Sequence, residues 1–288
     1  MKRLINWLVL TVFAIVTVGF AAFLVWDAFS SRNTAPRLTC DSDTLYVSIH
    51  DGREALLAGV TATDNEDGDL TDHITVENVS RFTEPGVSHI TYAVQDSQNA
   101  VTKLTRTLCY TDYTSPRFSL KAPLVFAYGK TINPVENVTA TDCIDGDLSS
   151  RIRMSLLEED STISGVGKWK VRFRVTNSMG ETVYLTTVVT VTDTTTNERY
   201  YTPEIRLSDY MVYIPVGGEF DPESYVSGIT VSSNSSEDNF LSLLSRLRIN
   251  SDVDTSRTGV YTVEYTCTSS RHYIGTTNLI VVVGDLSE

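Results

Sequence analysis

Two hydrophobic patterns divide the chain. From Leu4 to Trp26 the sequence is apolar without a single charged side chain, and after residue 33 it breaks into short runs in which apolar and polar positions alternate. The first pattern predicts a helix that crosses a membrane, because about 20 apolar residues rising 1.5 Å each span a hydrocarbon core of about 30 Å. Lys2 and Arg3 precede it, and Trp7 and Trp26 sit near its ends, where indole rings favour the interface. Residues 1–33 are therefore expected to form a cytoplasmic tip, a single-pass anchor and a short linker, with the rest exported. A cleaved signal peptide, with Ala28 and Ser30 as the small residues before the cut, is the rival reading.

The second pattern has a period of two. ITYAV (Ile90–Val94), VRFRV (Val171–Val175) and YTVEYTC (Tyr261–Cys267) alternate as strands with one buried face do. The runs fall in three copies of one unit. GVTATDNEDGDLT (Gly59–Thr71) recurs as NVTATDCIDGDLS (Asn137–Ser149), and each unit opens on a proline-marked strand at Pro36, Pro116 or Pro203. Units of about 80 residues rich in Val, Ile, Thr and Tyr suit seven-stranded sandwiches. The expected fold is all-β: three tandem Ig-like β-sandwich domains over 34–113, 114–194 and 195–288, behind the N-terminal transmembrane helix. Thr192–Tyr201 reads as a polar linker, and DNFLSLLSRLRI (Asp238–Ile249) as a short helix replacing the acidic loop of the third unit.

The order AxDxxDGDL, then a Gly-initiated alternating strand, then a D-S-x-N turn (Asp96–Asn99), resembles a bacterial Ig-like repeat family. Its domains recur in tandem on surface proteins and in some pesticidal crystal toxins. The likeness covers residues 36–112 and 116–193; the third unit keeps the strands but lacks the DGDL motif. What the resemblance implies is a sandwich used as spacer, adhesin stalk or binding module, without catalysis.

Candidate chemistry is concentrated in the acidic loops. Asp64, Asp67 and Asp69 have the spacing D-x-x-D-G-D, which Asp142, Asp145 and Asp147 repeat. Two readings stand. Asp and Asn side chains accept backbone N–H groups of their own turns while Gly supplies the positive φ. Alternatively, calcium takes six to eight oxygens. Asp96 and Asn177 begin the last hairpins at the same end of their sandwiches. Asp112, Asp142, Asp145, Asp147 and Asn177 are then expected to meet at the junction of the first two units, where a Ca2+ ion would offset clustered charge. Asp64, Asp67, Asp69 and Asp96 form the corresponding set in the first unit; the third has Ser233 and Ser269 instead of Asp64 and Asp96, so no such site is expected there.

Four cysteines in an exported chain permit disulfides. Cys40 and Cys109 lie in the first and last strands of the first unit, and a bond is expected if those strands run side by side. Cys267 occupies the position of Val94 and Val175 and reads as a small buried hydrophobe.

The net charge of −13 disfavours nucleic acid and anionic headgroups. The four histidines fall in no metal-ligand pair, and no catalytic motif appears; Glu158–Glu159–Asp160 reads as a solvated loop. The functional expectation is a non-enzymatic structural or adhesive surface protein, a stalk or scaffold that meets a protein or cell-wall polymer outside the cell. The alternative is a specific binding module for carbohydrate or an envelope complex, for which Trp169, Tyr200, Tyr201, Tyr210 and Tyr213 are the available aromatics. An enzyme without a visible motif ranks third.

Overall fold

The computed structural model describes residues 2–30, 34–129, 131–157, 162–193, 195, 198–233 and 236–284; Glu158–Glu159–Asp160 and part of the Thr192–Tyr201 linker lie outside them. Helix α1 (Lys2–Ser30) contains one stretch long and apolar enough to cross a membrane, Asn6–Trp26, with a mean hydropathy of 2.7 and no part of it buried. Everything after it is built mainly of strands.

The first domain contains β1 (Arg37–Cys40), β2 (Thr44–Val47), a one-turn helix α2 (Arg53–Leu56), β3 (Val60–Asp64), β4 (Gly68–Asp69), β5 (Thr75–Val79), β6 (Val87–Gln95) and β7 (Val101–Tyr110). One sheet has the order β1-β3-β4 and the other β2-β7-β6-β5. The alternation predicted for Ile90–Val94 is obeyed: Ile90, Tyr92 and Val94 are buried, and Thr91 and Ala93 less so. The chain changes sheets between Cys40 and Thr44, and so β2 takes the seat beside β7. This corrects the expectation for Cys40 and Cys109. Their strands do not pair, they belong to opposite sheets, and both thiols are free.

The second domain repeats the plan with β8 (Arg117–Leu120), β9 (Val125–Ala127), β10 (Val138–Asp142), β11 (Gly146–Asp147), β12 (Arg153–Leu156), β13 (Gly167–Thr176) and β14 (Thr182–Thr192), in sheets β11-β10-β8 and β12-β13-β14-β9. The third contains β15 (Glu204–Leu207), β16 (Met211–Ile214), β17 (Val226–Thr230), helix α3 (Phe240–Ser245), β18 (Leu247–Asn250), β19 (Gly259–Thr268) and β20 (Ile274–Val283), in sheets β15-β17 and β16-β20-β19-β18. Asn239 caps α3 by accepting the Ser242 N–H at 3.0 Å, and the helix stands where the DGDL hairpin stands in the other domains, as expected. Tyr92, Phe173 and Tyr265 hold equivalent, fully buried positions, followed two residues later by buried Val94, Val175 and Cys267. Cys267 is thus the expected core residue, and burial pushes its thiol pKa up.

These domains form two compact units. One is Met1–Ser80 with Ser88–Cys109; the other is Arg81–Val87 with Tyr110–Glu288, and so contains both the second and third sandwiches.

Candidate functional site

The acidic motif is a hairpin whose positions shared by the first two domains each have a mechanical task. Asp64 pairs with Gly68 across the β3–β4 turn, and its Oδ1 accepts the N–H groups of Glu66 (2.8 Å) and Asp67 (3.0 Å). Asp142 Oδ1 does the same for Ile144 (2.6 Å) and Asp145 (2.9 Å). Gly68 and Gly146 sit at φ +75° and +70°, where a side chain is strained. Asp69 and Asp147 accept from Thr71 and Ser149, whose hydrogen bonds hold both carboxyls below the usual carboxylate range. Leu70 and Leu148 plug the core beside Ala62 and Ala140.

The middle aspartate is a clamp. Asp67 Oδ2 accepts the N–H of Ser97 at 2.7 Å, and Asp145 Oδ2 accepts that of Ser178 at 2.6 Å, each tying the turn to the last hairpin. Burial raises the Asp145 pKa, but Ser178 and a 2.8 Å contact from Arg151 outweigh it, and the carboxyl is held low. Asp96 and Asn177 cap those hairpins: Asp96 Oδ1 takes the Gln98 and Ala100 N–H groups at 2.9 and 2.7 Å, and Asn177 Oδ1 takes that of Glu181 at 2.9 Å.

Of the expected junction set, Asp142 and Asn177 meet, with Asn177 Nδ2 donating to Asp142 Oδ2 at 3.1 Å and to the Tyr113 hydroxyl at 2.9 Å. Asp112 lies in an exposed turn, and Asp147 is turned onto Ser149. Among the described residues, no three His, Cys, Asp or Glu side chains converge as a metal ion would require. The first domain differs at one atom. Where Asn177 donates, it has Asp96, which offers no N–H, and Asp64 Oδ2 is buried without a hydrogen-bond partner.

Sequence reasoning missed that the third domain keeps the clamp. Asp238, at the foot of α3, accepts the Ser270 N–H at 2.7 Å, and Arg246 reaches its Oδ1 at 2.9 Å as Arg151 reaches Asp145. Ser269 caps its hairpin through the Tyr273 N–H at 3.2 Å. The signal was an acid–Ser pair, with the serine just after the hairpin cap.

The second and third domains share a core. Met211 and Ile280 are buried in the cluster formed by Phe118, Val171 and Phe173, with Tyr213 and Val282 packed against it. These four side chains lie on the outer face of β16 and β20, opposite Ile214, Leu279, Val281 and Val283, which fill the third domain's own core. Tyr213 OH donates to the Phe118 carbonyl and accepts its N–H, both at 3.0 Å, and Arg117 lies 5.4 Å above its ring. Burial pushes the phenol's pKa up against both partners. Asn278 Nδ2 reaches Thr190 Oγ1 at 3.2 Å, and Lys168 pairs with Glu264 at 2.9 Å.

Beside this seam runs an open cleft of about 630 Å3. The second domain contributes β9 and Thr192; the third contributes Pro203–Ile205, Tyr210 and Ile274–Thr277; Arg199, Tyr200 and Thr202 of the linker complete it. Tyr200 is 52% exposed. Its ring stands edge-on to Tyr201 at 5.1 Å, and Tyr201 is stacked on Tyr273 at 5.7 Å with the Arg271 guanidinium 4.2 Å from its centre. Of the other expected aromatics, Tyr210 lines the cleft, Tyr213 is committed to the seam, and Trp169 is half-buried with its Nε1 donating to Gly165 at 3.0 Å.

Residues 43–109 match the family described as bacterial surface protein, Ig-like domain. The matched segment contains the first DGDL hairpin and its clamp. Pesticidal crystal protein Cry22Aa of Bacillus thuringiensis is 34% identical over 146 residues, which are 49% of this chain and 18% of that protein. Among solved structures, Clostridium perfringens ZmpB, determined as CBM51-2 in complex with GlcNAc and INT domains, is 20% identical over 49% of this chain and 28% of its own, with a TM-score of 0.22. The lipoprotein BT2262 of Bacteroides thetaiotaomicron is 12% identical over 85% and 98%, TM-score 0.21, and human CDH23 EC21-23 is 11% identical over 86% and 100%, TM-score 0.22. The chain thus spans less than a third of the length of Cry22Aa and of the ZmpB chain.

Proposed function

We propose that this chain is a membrane-anchored surface protein whose second and third Ig-like domains act together as one binding unit. Helix α1 holds it in the membrane with Lys2 and Arg3 on the cytoplasmic side, and the sandwiches meet a protein or cell-wall polymer outside. The observation that carries the reading is the buried outer face of β16 and β20. Independent beads on a stalk would leave Met211, Tyr213, Ile280 and Val282 in water. Burying Met211 and Ile280 instead stabilises the pair by about 2 kcal/mol each.

The surface placement is tested on intact bacterial cells producing the full chain with an epitope after Glu288. The expected result is an epitope that stays in the membrane pellet through carbonate washing and is lost when intact cells meet protease. Release of a shortened chain into the medium would overturn the anchor and establish the signal-peptide alternative.

A further inference from the structure

The cleft beside the seam is lined by two domains and their linker together, and its lining points to a ligand. We propose that it binds a neutral oligosaccharide, with Tyr200 as the stacking platform. This deepens the reading of the second and third domains as one binding unit and rests on it.

Three observations support the assignment. The first is the state of Tyr200. A ring that is 52% exposed would ordinarily sample several rotamers, yet this one is braced edge-on by Tyr201, which Tyr273 and Arg271 fix in turn. A braced, exposed aromatic face loses little freedom when a flat C–H surface such as that of a pyranose ring settles on it. The second is the polar lining. Ser232 and Thr276 supply hydroxyls that can donate or accept, as sugar hydroxyls do, and Thr192 and Thr202, which donate to the Phe126 and Glu198 carbonyls at 3.3 and 2.9 Å, can accept, beside one guanidinium (Arg199) and one carboxylate (Glu204). That balance favours an uncharged ligand rich in hydroxyls. The third is size, because about 630 Å3 falls within the range of small-ligand clefts.

The competing occupants fit less well. A polyanion would approach against a chain of net charge −13. A peptide adding itself as a strand would need a long open edge, and β9 offers three residues.

The test uses the full chain in lipid nanodiscs, titrated calorimetrically with cellohexaose, mannohexaose and the N-acetylglucosamine hexamer, and separately with polyphosphate and a (Thr-Val)3 peptide. At least one neutral hexamer is expected to bind saturably, with affinity that changes less than twofold between 50 and 500 mM salt. Tyr200→Ala should weaken binding at least tenfold and Thr276→Val several-fold, while Tyr200→Phe keeps most of it. Tyr46→Ala, an exposed tyrosine of the first domain, should leave binding unchanged. Binding by none of the neutral hexamers, binding that survives Tyr200→Ala, or saturable binding of the peptide or polyphosphate alone would each overturn the proposal. Melting curves of the variants separate a lost ligand contact from a lost fold. The joint-unit reading is tested independently by unfolding measurements that involve no sugar, so its failure is distinguishable from that of the sugar assignment.

Discussion

At the scale of single residues, the fold relies on carboxylates that hold backbone N–H groups. Asp67, Asp145 and Asp238 perform one task in three domains, tying the region after the third strand to the hairpin that closes the sandwich. The D-x-x-D-G-D spacing was legible because a turn needs its acceptor and its glycine at fixed offsets. Asp238 was not legible, since a helix rather than a hairpin delivers it and the spacing is lost. Its pKa shows what the clamp does: burial pushes it up, but the Ser270 N–H and hydroxyl and the Arg246 guanidinium hold it below its ordinary 3.8. A carboxyl whose folded pKa is depressed contributes stability above its unfolded value, and that stability is lost as pH falls through the folded one. The melting temperature of the full chain should therefore be level from pH 7 to 5 and fall below about pH 4. Asp238→Asn should cost about 3 kcal/mol at pH 7, because it leaves Arg246 without its buried partner charge. Its deficit should narrow as pH falls below about 4, where the unfolded carboxyl takes up its proton first and the folded one follows at still lower pH. A deficit independent of pH would mean that charge is not what Asp238 supplies.

At the scale of elements, strand alternation and the threefold repeat were readable from the period of two, and the short helix of the third unit from its clustered leucines. What the period did not reveal was the use of both faces. The stretch Leu279–Val283 is apolar at every position, the mark of a strand covered on two sides, yet its neighbour β19 alternates normally and masks it. The change of sheet between β1 and β2 was equally hidden, because no side-chain pattern distinguishes a strand that stays from one that crosses. Close backbone approach was hidden as well. A Cβ at Gly275 would lie 1.8 Å from the Pro203 carbonyl oxygen, so β15 and β20 can meet beside the cleft only with glycine there. Gly275→Ala should destabilise the chain by about 3 kcal/mol. Gly228→Ala, on β17 with open space around it, should be neutral or stabilising by up to about 1 kcal/mol. Denaturant unfolding followed by circular dichroism checks the contrast, and equal effects would contradict the packing described for β20.

At the scale of the whole molecule, the central claim is that the second and third domains are one body. A polar linker between two β-rich units is compatible with a rigid rod or a hinged chain, and the sequence offers no count of which outer faces find partners. The claim has a convenient reporter. Trp169 is the only tryptophan outside α1, and it lies on β13 of the second domain. Leu243 lies on α3, fully buried in the third domain's own core and remote in sequence. With Trp7 and Trp26 replaced by Phe, Trp169 fluorescence in the full chain in detergent would follow urea unfolding of the second domain alone. Leu243→Ala should remove about 3 kcal/mol. If the two sandwiches unfold as one, the Trp169 midpoint moves to lower urea by the amount that this loss predicts, with the slope unchanged. A Trp169 midpoint that stays in place, while circular dichroism shows an earlier separate transition, would contradict the shared core and return the two domains to independent beads.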